Sequence, residues 1–454
     1  MQPFLDYINQ HQDQFIDELK PFCAQPSIST TGEGLADMAE IVRQKMLDLG
    51  ATVHTFIPGV GAPPIVYATL GDGPKTLLIY NHYDVQPADS IELWDSPPFE
   101  PTIRDGKIYG RGVADNKGHL IGRIQAIRTW QETMGKLPCR INWFIEGEEE
   151  MGSTHLESFC LDHPELLQAD GCVWEMGSTN DAGEAMIHLG AKGMLYVELS
   201  IRSLSGDQHS SRATIAPSAA WRLIWALNTL KAPDETILIE GFYDHVVPPS
   251  ETDLAMLKTI PFDMNGYAKR LGADKLVGGV SSGLEAITRH VFQPTCTICG
   301  IESGYTGPGL KTVTPATAKA KVDFRLVPDL KPKLVVRLLR QHLDKHGFDD
   351  VNIEVLGGEH TGKSDPDCDL VKDTIKSVQQ VYGVETPAVY PMMPASGPVW
   401  AVATSHGTPL VGFGAGYPGI QIHAPNENLR LSDYFQAIRM IGQFLANFGI
   451  EDKG

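Results

Sequence analysis

Between Lys75 and Met176 the chain alternates continuous apolar runs with a helical period, and this pattern restricts its fold more than any other feature. "KTLLIYNHYD" (75–84) and "RINWFIEG" (140–147) are unbroken apolar segments that end in polar residues, as parallel strands buried on both faces do. Between them, "DNKGHLIGRIQAIRTWQETMG" sets Leu120, Ile121, Ile124, Ile127 and Trp130 at helical spacing, with Gly135 as a C-terminal cap. "GCVWEMG" (171–177) reads as a third short strand. This succession predicts α/β architecture around a mixed, mostly parallel sheet flanked by helices.

From about Lys192 the pattern changes. "GMLYVELSIRS" places Leu195, Val197, Leu199 and Ile201 on one face, which predicts a half-exposed strand. A helix "APSAAWRLIWALNTLK", a strand "ATAKAKVDFRLVP", a helix "KPKLVVRLLRQHLDKHG" and a strand "VNIEVLGG" follow. One-sided strands alternating with helices predict a ferredoxin-like α+β layer. After "GGEHTGKSDPDCD", read as a linker, the α/β style resumes with a helix, the strand "PLVGFG" and a last helix with Ser432 as its N-cap. The expectation is a larger α/β domain in two segments, 1–191 and 364–454, with a smaller domain inserted at 192–363.

Ligands of open α/β sheets bind beyond the carboxyl ends of the strands. Those ends carry His82 and Asp84, then Glu146, Glu148, Glu149 and Glu150 in "EGEEEMGS", then Glu175, with His423 in the loop after "PLVGFG" and Asp115 just before its helix. Any one of these motifs alone reads as a solvated pair or loop, because charged runs are normally exposed. Converging on one sheet edge, two imidazoles and several carboxylates are a donor set for two divalent ions, whose charge relieves the repulsion among the acids. "GVSSG" (279–283) also fits a G-x-S-x-G nucleophile elbow and nominates Ser281 for a serine hydrolase, but no buried strand precedes it.

The net charge is −19 and argues against a nucleic-acid partner, which basic groups would have to bind. No apolar run is long enough to span a membrane. Phe4, Leu5, Ile8, Phe15, Ile16 and Leu19 suit a surface helix rather than a secretory signal. Seven cysteines in 454 residues make no disulfide framework, and "CTIC" (296–299) has no second pair for zinc. The expected setting is the cytoplasm.

"NHYDVQPAD", "PPFEPTIRDGKIYGRGVADNKG", "EGEEEMGS" and "HAPNE" together resemble the co-catalytic zinc exopeptidases. That family holds carnosine-type dipeptidases, glutamate carboxypeptidases, aminoacylases, and the acetylornithine deacetylase and succinyl-diaminopimelate desuccinylase enzymes. The resemblance implies that 1–191 and 364–454 form a catalytic domain and 192–363 a lid or dimerisation domain. It implies two divalent ions, zinc or else manganese or cobalt. His82 and Glu175 would hold one, Glu150 and His423 the other, and Asp115 would bridge them. It implies Glu149 as general base, Asp84 behind the His82 ring, and a cis peptide after Asp115. Glu146 and Glu148 are left as supporting or solvated neighbours. "GDQHSS", "VDFRLVP", "GPGLKTVTP" and "PASGPVW" resemble the lid and rim segments, which implies substrate contacts from His209, Arg325, Thr312 and Ser396 and a homodimer through the lid. The implied substrate is a small peptide or an N-acyl amino acid. Met151 stands where the family often has a small residue. Glu175 is of the carboxypeptidase and acylase kind while the flanking motifs are of the dipeptidase kind, so dipeptidase, carboxypeptidase and deacylase all stay open.

Overall fold

The computed structural model describes residues 1–88, 90–180 and 183–450. The chain divides into two compact units, one of residues 1–190, 363–391 and 398–454, the other of residues 191–362 and 392–397.

The first unit is built on a six-stranded sheet in the order Thr52–Phe56, Ile65–Leu70, Arg140–Glu146, Thr76–His82, Gly171–Val173, Leu410–Val411. Its first two pairings are antiparallel and the remaining three are parallel. The central strands Thr76–His82 and Arg140–Glu146 are buried on both faces, which is why they carry unbroken apolar runs. They pair in register from Thr76 opposite Arg140 to His82 opposite Glu146, so both deliver their polar ends to one edge. The helix Lys117–Thr133 is buried nearly all round and packs against the terminal helix Leu431–Phe448. Gly135, at φ 84°, takes the left-handed conformation that ends it.

Two local expectations change. The amino-terminal apolar pattern forms two helices, Gln2–Gln10 and Gln12–Ala24, that meet at His11. Ser432 lies inside the first turn of the last helix, whose N-cap is Arg430 without a side-chain bond; its hydroxyl faces Asp433 instead.

The second unit is built on an antiparallel path of four strands in the order Thr297–Ser303, Thr317–Leu326, Gly190–Arg202, Asn352–Glu359, and the short strand Met393–Ser396 pairs in parallel with Gly190–Arg202 off that path. Numbered along the chain this is 4-1-3-2 read from the far edge, the ferredoxin-like arrangement, with helices Ala219–Asn228 and Pro332–Lys345. Leu195, Val197, Leu199 and Ile201 are buried with Ala318, Ala320, Val322 and Phe324 in one apolar cluster, as their alternation requires. Three further helices, Glu251–Lys258, Met264–Arg270 and Gly283–Phe292, fill the stretch before the edge strand. Among the described residues no helix is long and apolar enough to cross a membrane.

Candidate active site

The paired strands end at His82 and Glu146, and the loops beyond them build the site. His82 is fully buried. Its Nδ1 lies 3.1 Å from the Asp84 carbonyl oxygen and 3.2 Å from Asp84 Oδ1. Two acceptors on that nitrogen hold its proton there and leave the Nε2 lone pair for a ligand. Asp84 Oδ2 accepts the Glu150 backbone N–H at 3.0 Å, so one carboxylate orients both the imidazole and the acidic loop.

His82 Nε2 is 3.0 Å from Asp115 Oδ1 and 3.6 Å from Glu175 Oε2. The other Asp115 oxygen, Oδ2, is 3.3 Å from His423 Nε2, which is also 2.9 Å from Glu150 Oε2. Asp115 thus presents one oxygen to each imidazole, with a second carboxylate beside each. Donor atoms of His82, Asp115 and Glu150 all lie within 4.8 Å of one another. Asp115 precedes its helix through a cis peptide to Asn116, and His423 reaches in from a loop position at φ 61°. Gly118 opens the same helix because a side chain there would collide with the Val113 carbonyl.

The electrostatics of this cluster ask for cations. Burial, then the Glu175 charge, raise Glu149 well above the usual carboxylate range. Burial pushes Glu175 up to about 8 and raises Glu150 against the opposing His423 contact. Burial pulls on His82, but its contacts with Asp115 and Asp84 hold it well above an ordinary histidine. The Asp115 and Glu150 contacts raise His423 to about 10. Burial also acts on Asp115, yet the two imidazoles keep it below the usual range. Without a dication the imidazoles, Glu149 and Glu175 hold protons more tightly than usual while Asp115 stays ionised. Glu175 Oε2 is buried with no hydrogen-bond partner among the described residues, as an oxygen reserved for an ion would be. Two imidazoles and three carboxylates around such an orphan fit two divalent ions.

A pH dependence follows. Glu175 titrates in the unfolded chain near ~4.3 and in the folded, metal-free chain at about 8. The folded state therefore holds the extra proton between these values, and stability falls as pH rises through that window. His423, raised to about 10 from 6.5, contributes stability that is present below 6.5 and lost as pH rises through 10. Ions held by these side chains would displace the protons, so the Tm gain on adding zinc to chelator-stripped protein is expected to be larger at pH 8 than at pH 6. Equal gains at both pH values would contradict this ligand set.

The four glutamates of the acidic loop take different positions. Glu146 is buried and accepts hydrogen bonds from Tyr80 Oη at 2.5 Å and Ser153 Oγ at 2.8 Å. Burial lifts it to about 8, above the usual carboxylate range, and the two hydroxyls make it a hydrogen-bonded brace. Glu148 is buried against His155 Nδ1 at 3.0 Å. Neither is solvated, because the loop folds inward under Tyr83, whose ring leaves no room for a side chain at Gly147. Glu150 faces His423, and no hydrogen bond among the described residues holds the Glu149 carboxylate.

In the second unit the predicted contacts fall into two pairs. Thr312 Oγ1 lies 3.3 Å from His209 Nε2, and Arg325 Nη1 donates to Ser396 Oγ at 2.9 Å. Arg325 Nε also donates to Asp323 at 3.2 Å, which fixes the plane of its fork. The Ser281 alternative fails on context: turns rather than a strand precede it, and its hydroxyl donates to Glu285 at the start of the helix Gly283–Phe292. The buried Glu427, four positions after His423, was not singled out from the sequence; its partners lie in the segment 111–115, far along the chain.

The sequence model of Peptidase family M20/M25/M40 matches residues 78–447. The chain is 27% identical to a Beta-Ala-His dipeptidase of Mus musculus, over 100% of this chain and 96% of that one. It is 29% identical to the Cys-Gly metallodipeptidase dug1 of Schizosaccharomyces pombe, over 96% and 95%. Among solved structures, the M20 family metallo-carboxypeptidase Sso-CP2 from Sulfolobus solfataricus is 36% identical with a TM-score of 0.90, over 96% of this chain and 99% of that one. Human carnosine dipeptidase 1 is 26% identical with a TM-score of 0.82, over 99% of each chain.

Proposed function

The chain belongs to peptidase family M20/M25/M40, and from that premise we propose that it is a two-metal exopeptidase cleaving dipeptides and other small peptides that end in a free carboxylate. The observation that carries this reading is Asp115, whose two oxygens face two different imidazoles, at 3.0 Å to His82 and 3.3 Å to His423. His82 and Glu175 would hold one ion, His423 and Glu150 the other, with Asp115 between them. The donor set suits zinc. When bound, two such ions supply Lewis-acid polarisation of the scissile carbonyl and make a water acidic enough to attack it.

The remaining work falls to the protein. Asp84 keeps the His82 proton on Nδ1, so Nε2 stays a donor of electrons. Glu149, with no hydrogen bond to hold its carboxylate among the described residues, accepts the proton of the attacking water and passes it to the leaving amine. Arg325, braced by Asp323 and Ser396, is assigned to the substrate carboxylate, and His209 with Thr312 to the carbonyl region. The dipeptidase names of the relatives and the carboxypeptidase name of the 36%-identical structure both support small peptides with a free C-terminus.

The same reading places the protein in the cytoplasm as a homodimer. All seven cysteines are free, in keeping with a reducing compartment. Trp221, Ile224 and Trp225 stand exposed on the helix Ala219–Asn228, and the edge strand Thr297–Ser303 is exposed along its length.

The test is a hydrolysis panel on zinc-loaded and chelator-stripped protein, covering dipeptides, tripeptides and N-acyl amino acids. Zinc-dependent release of amino acids from free dipeptides is the expected result. Turnover confined to N-acyl amino acids would make it a deacylase, and turnover indifferent to chelation would overturn the metal site.

A further inference from the structure

One buried carboxylate outside the ligand set bonds to the backbone of the loop that carries Asp115 and stands four residues after His423. Glu427 is fully buried. Its Oε2 accepts from Arg111 Nη1 at 2.6 Å and from the Gly112 N–H at 3.1 Å. Its Oε1 accepts from the Ala114 N–H at 2.9 Å and the Asp115 N–H at 3.1 Å. Four donors use the acceptor capacity of a carboxylate, and the last of them is the backbone amide of Asp115 itself. The Glu427 backbone carbonyl in turn accepts from the Gly110 N–H at 3.0 Å. The loop that carries His423 is moored just beside it: Asn426 Oδ1 accepts from the Asp95 N–H at 2.9 Å and Asn426 Nδ2 donates to the Leu93 carbonyl at 3.1 Å.

We propose that Glu427 is a positioning residue that sets the spacing between Asp115 and His423 and so makes the pair of metal sites ready to bind. The inference rests on the two-metal reading above. Asp115 can present one oxygen to each imidazole only if its backbone is held at one place and the His423 loop at another. Glu427 is the side chain that bonds to the first and belongs to the second. A carboxylate is required because the cradle offers donors only, from Arg111 to Asp115. An amide would turn its own N–H₂ towards two of them.

A buried ion pair that merely stabilised the fold would have different consequences. Replacing it would lower Tm but leave the metal affinity of the folded molecule unchanged. The experiment titrates Zn²⁺ against a competing chelator into the stripped full-length protein, with Tm recorded alongside, for wild type, Glu427→Gln and Arg111→Met. Glu427→Gln is expected to bind Zn²⁺ about 10–100-fold more weakly, the usual loss when a residue orienting a ligand is removed. Arg111→Met keeps the three backbone bonds to Glu427 and is expected to stay close to wild-type affinity even with a lower Tm. If Glu427→Gln does not fold, Glu427→Asp, which keeps the charge and shortens the reach, must show the same weakening. Unchanged affinity in the Glu427 variant, or equal weakening in both variants, overturns the inference alone. A wild type that binds no Zn²⁺ overturns it together with the two-metal reading.

Discussion

Replacing Glu149 by glutamine is expected to lower kcat about 10³-fold, within the range that a positioned general base contributes. KM, Zn²⁺ content and Tm should stay near wild type. Glu146 is braced by Tyr80 and Ser153, Glu148 by His155, and Glu150 faces His423. Glu149 alone of the four has no hydrogen bond to its carboxylate among the described residues, while burial and the neighbouring acids raise its proton affinity. A group so placed can take a proton and give it up again within one cycle. Glutamine keeps its size and removes only that capacity. Steady-state kinetics on zinc-loaded protein, with metal analysis of the same sample, separates the roles. A variant with wild-type turnover would show the base to be elsewhere, and one that lost its zinc would make Glu149 a ligand.

Asp115→Ala should have the larger effect on metal binding and an effect on turnover at least as large. Losing several kcal/mol of charge stabilisation corresponds to about 10³-fold or more in rate. Both ions should be lost together, because Oδ1 faces His82 and Oδ2 faces His423. His423→Ala removes a donor from one side only and should leave the His82–Glu175 side able to bind. Metal stoichiometry of the two variants decides this. If Asp115→Ala retains one tightly bound ion, Asp115 is a ligand of one site and no bridge.

The fold was legible where periodicity reports burial. Unbroken apolar runs marked Thr76–His82 and Arg140–Glu146, and the alternation from Leu195 to Ile201 marked a strand with one covered face. The edge strand Thr297–Ser303 was not legible, because it is exposed along its length and carries no such pattern. The helices between Glu251 and Phe292 were missed as well. The helix Glu251–Lys258, for example, buries only Asp253 and Leu257, too little to write an amphipathic stripe into the sequence.

The site divides along the same line. Sequence alone settled which residue types stand at the strand ends, because strand ends follow from local pattern and ligand chemistry follows from residue type. Residue type and spacing did not rank the four acids of "EGEEEMGS", since adjacent charges look equally solvated when only their neighbours in the chain are known; the family resemblance alone gave Glu149 and Glu150 separate expected roles. The tertiary structure adds their partners from elsewhere in the chain: Tyr80 for Glu146, His423 for Glu150, and none for Glu149 among the described residues. It also brought Glu427 onto the backbone of residues 112–115, across more than 300 positions of chain. Hydrogen bonds and desolvation act through space over a few ångström, so the task of each carboxylate is set by what folding places beside it.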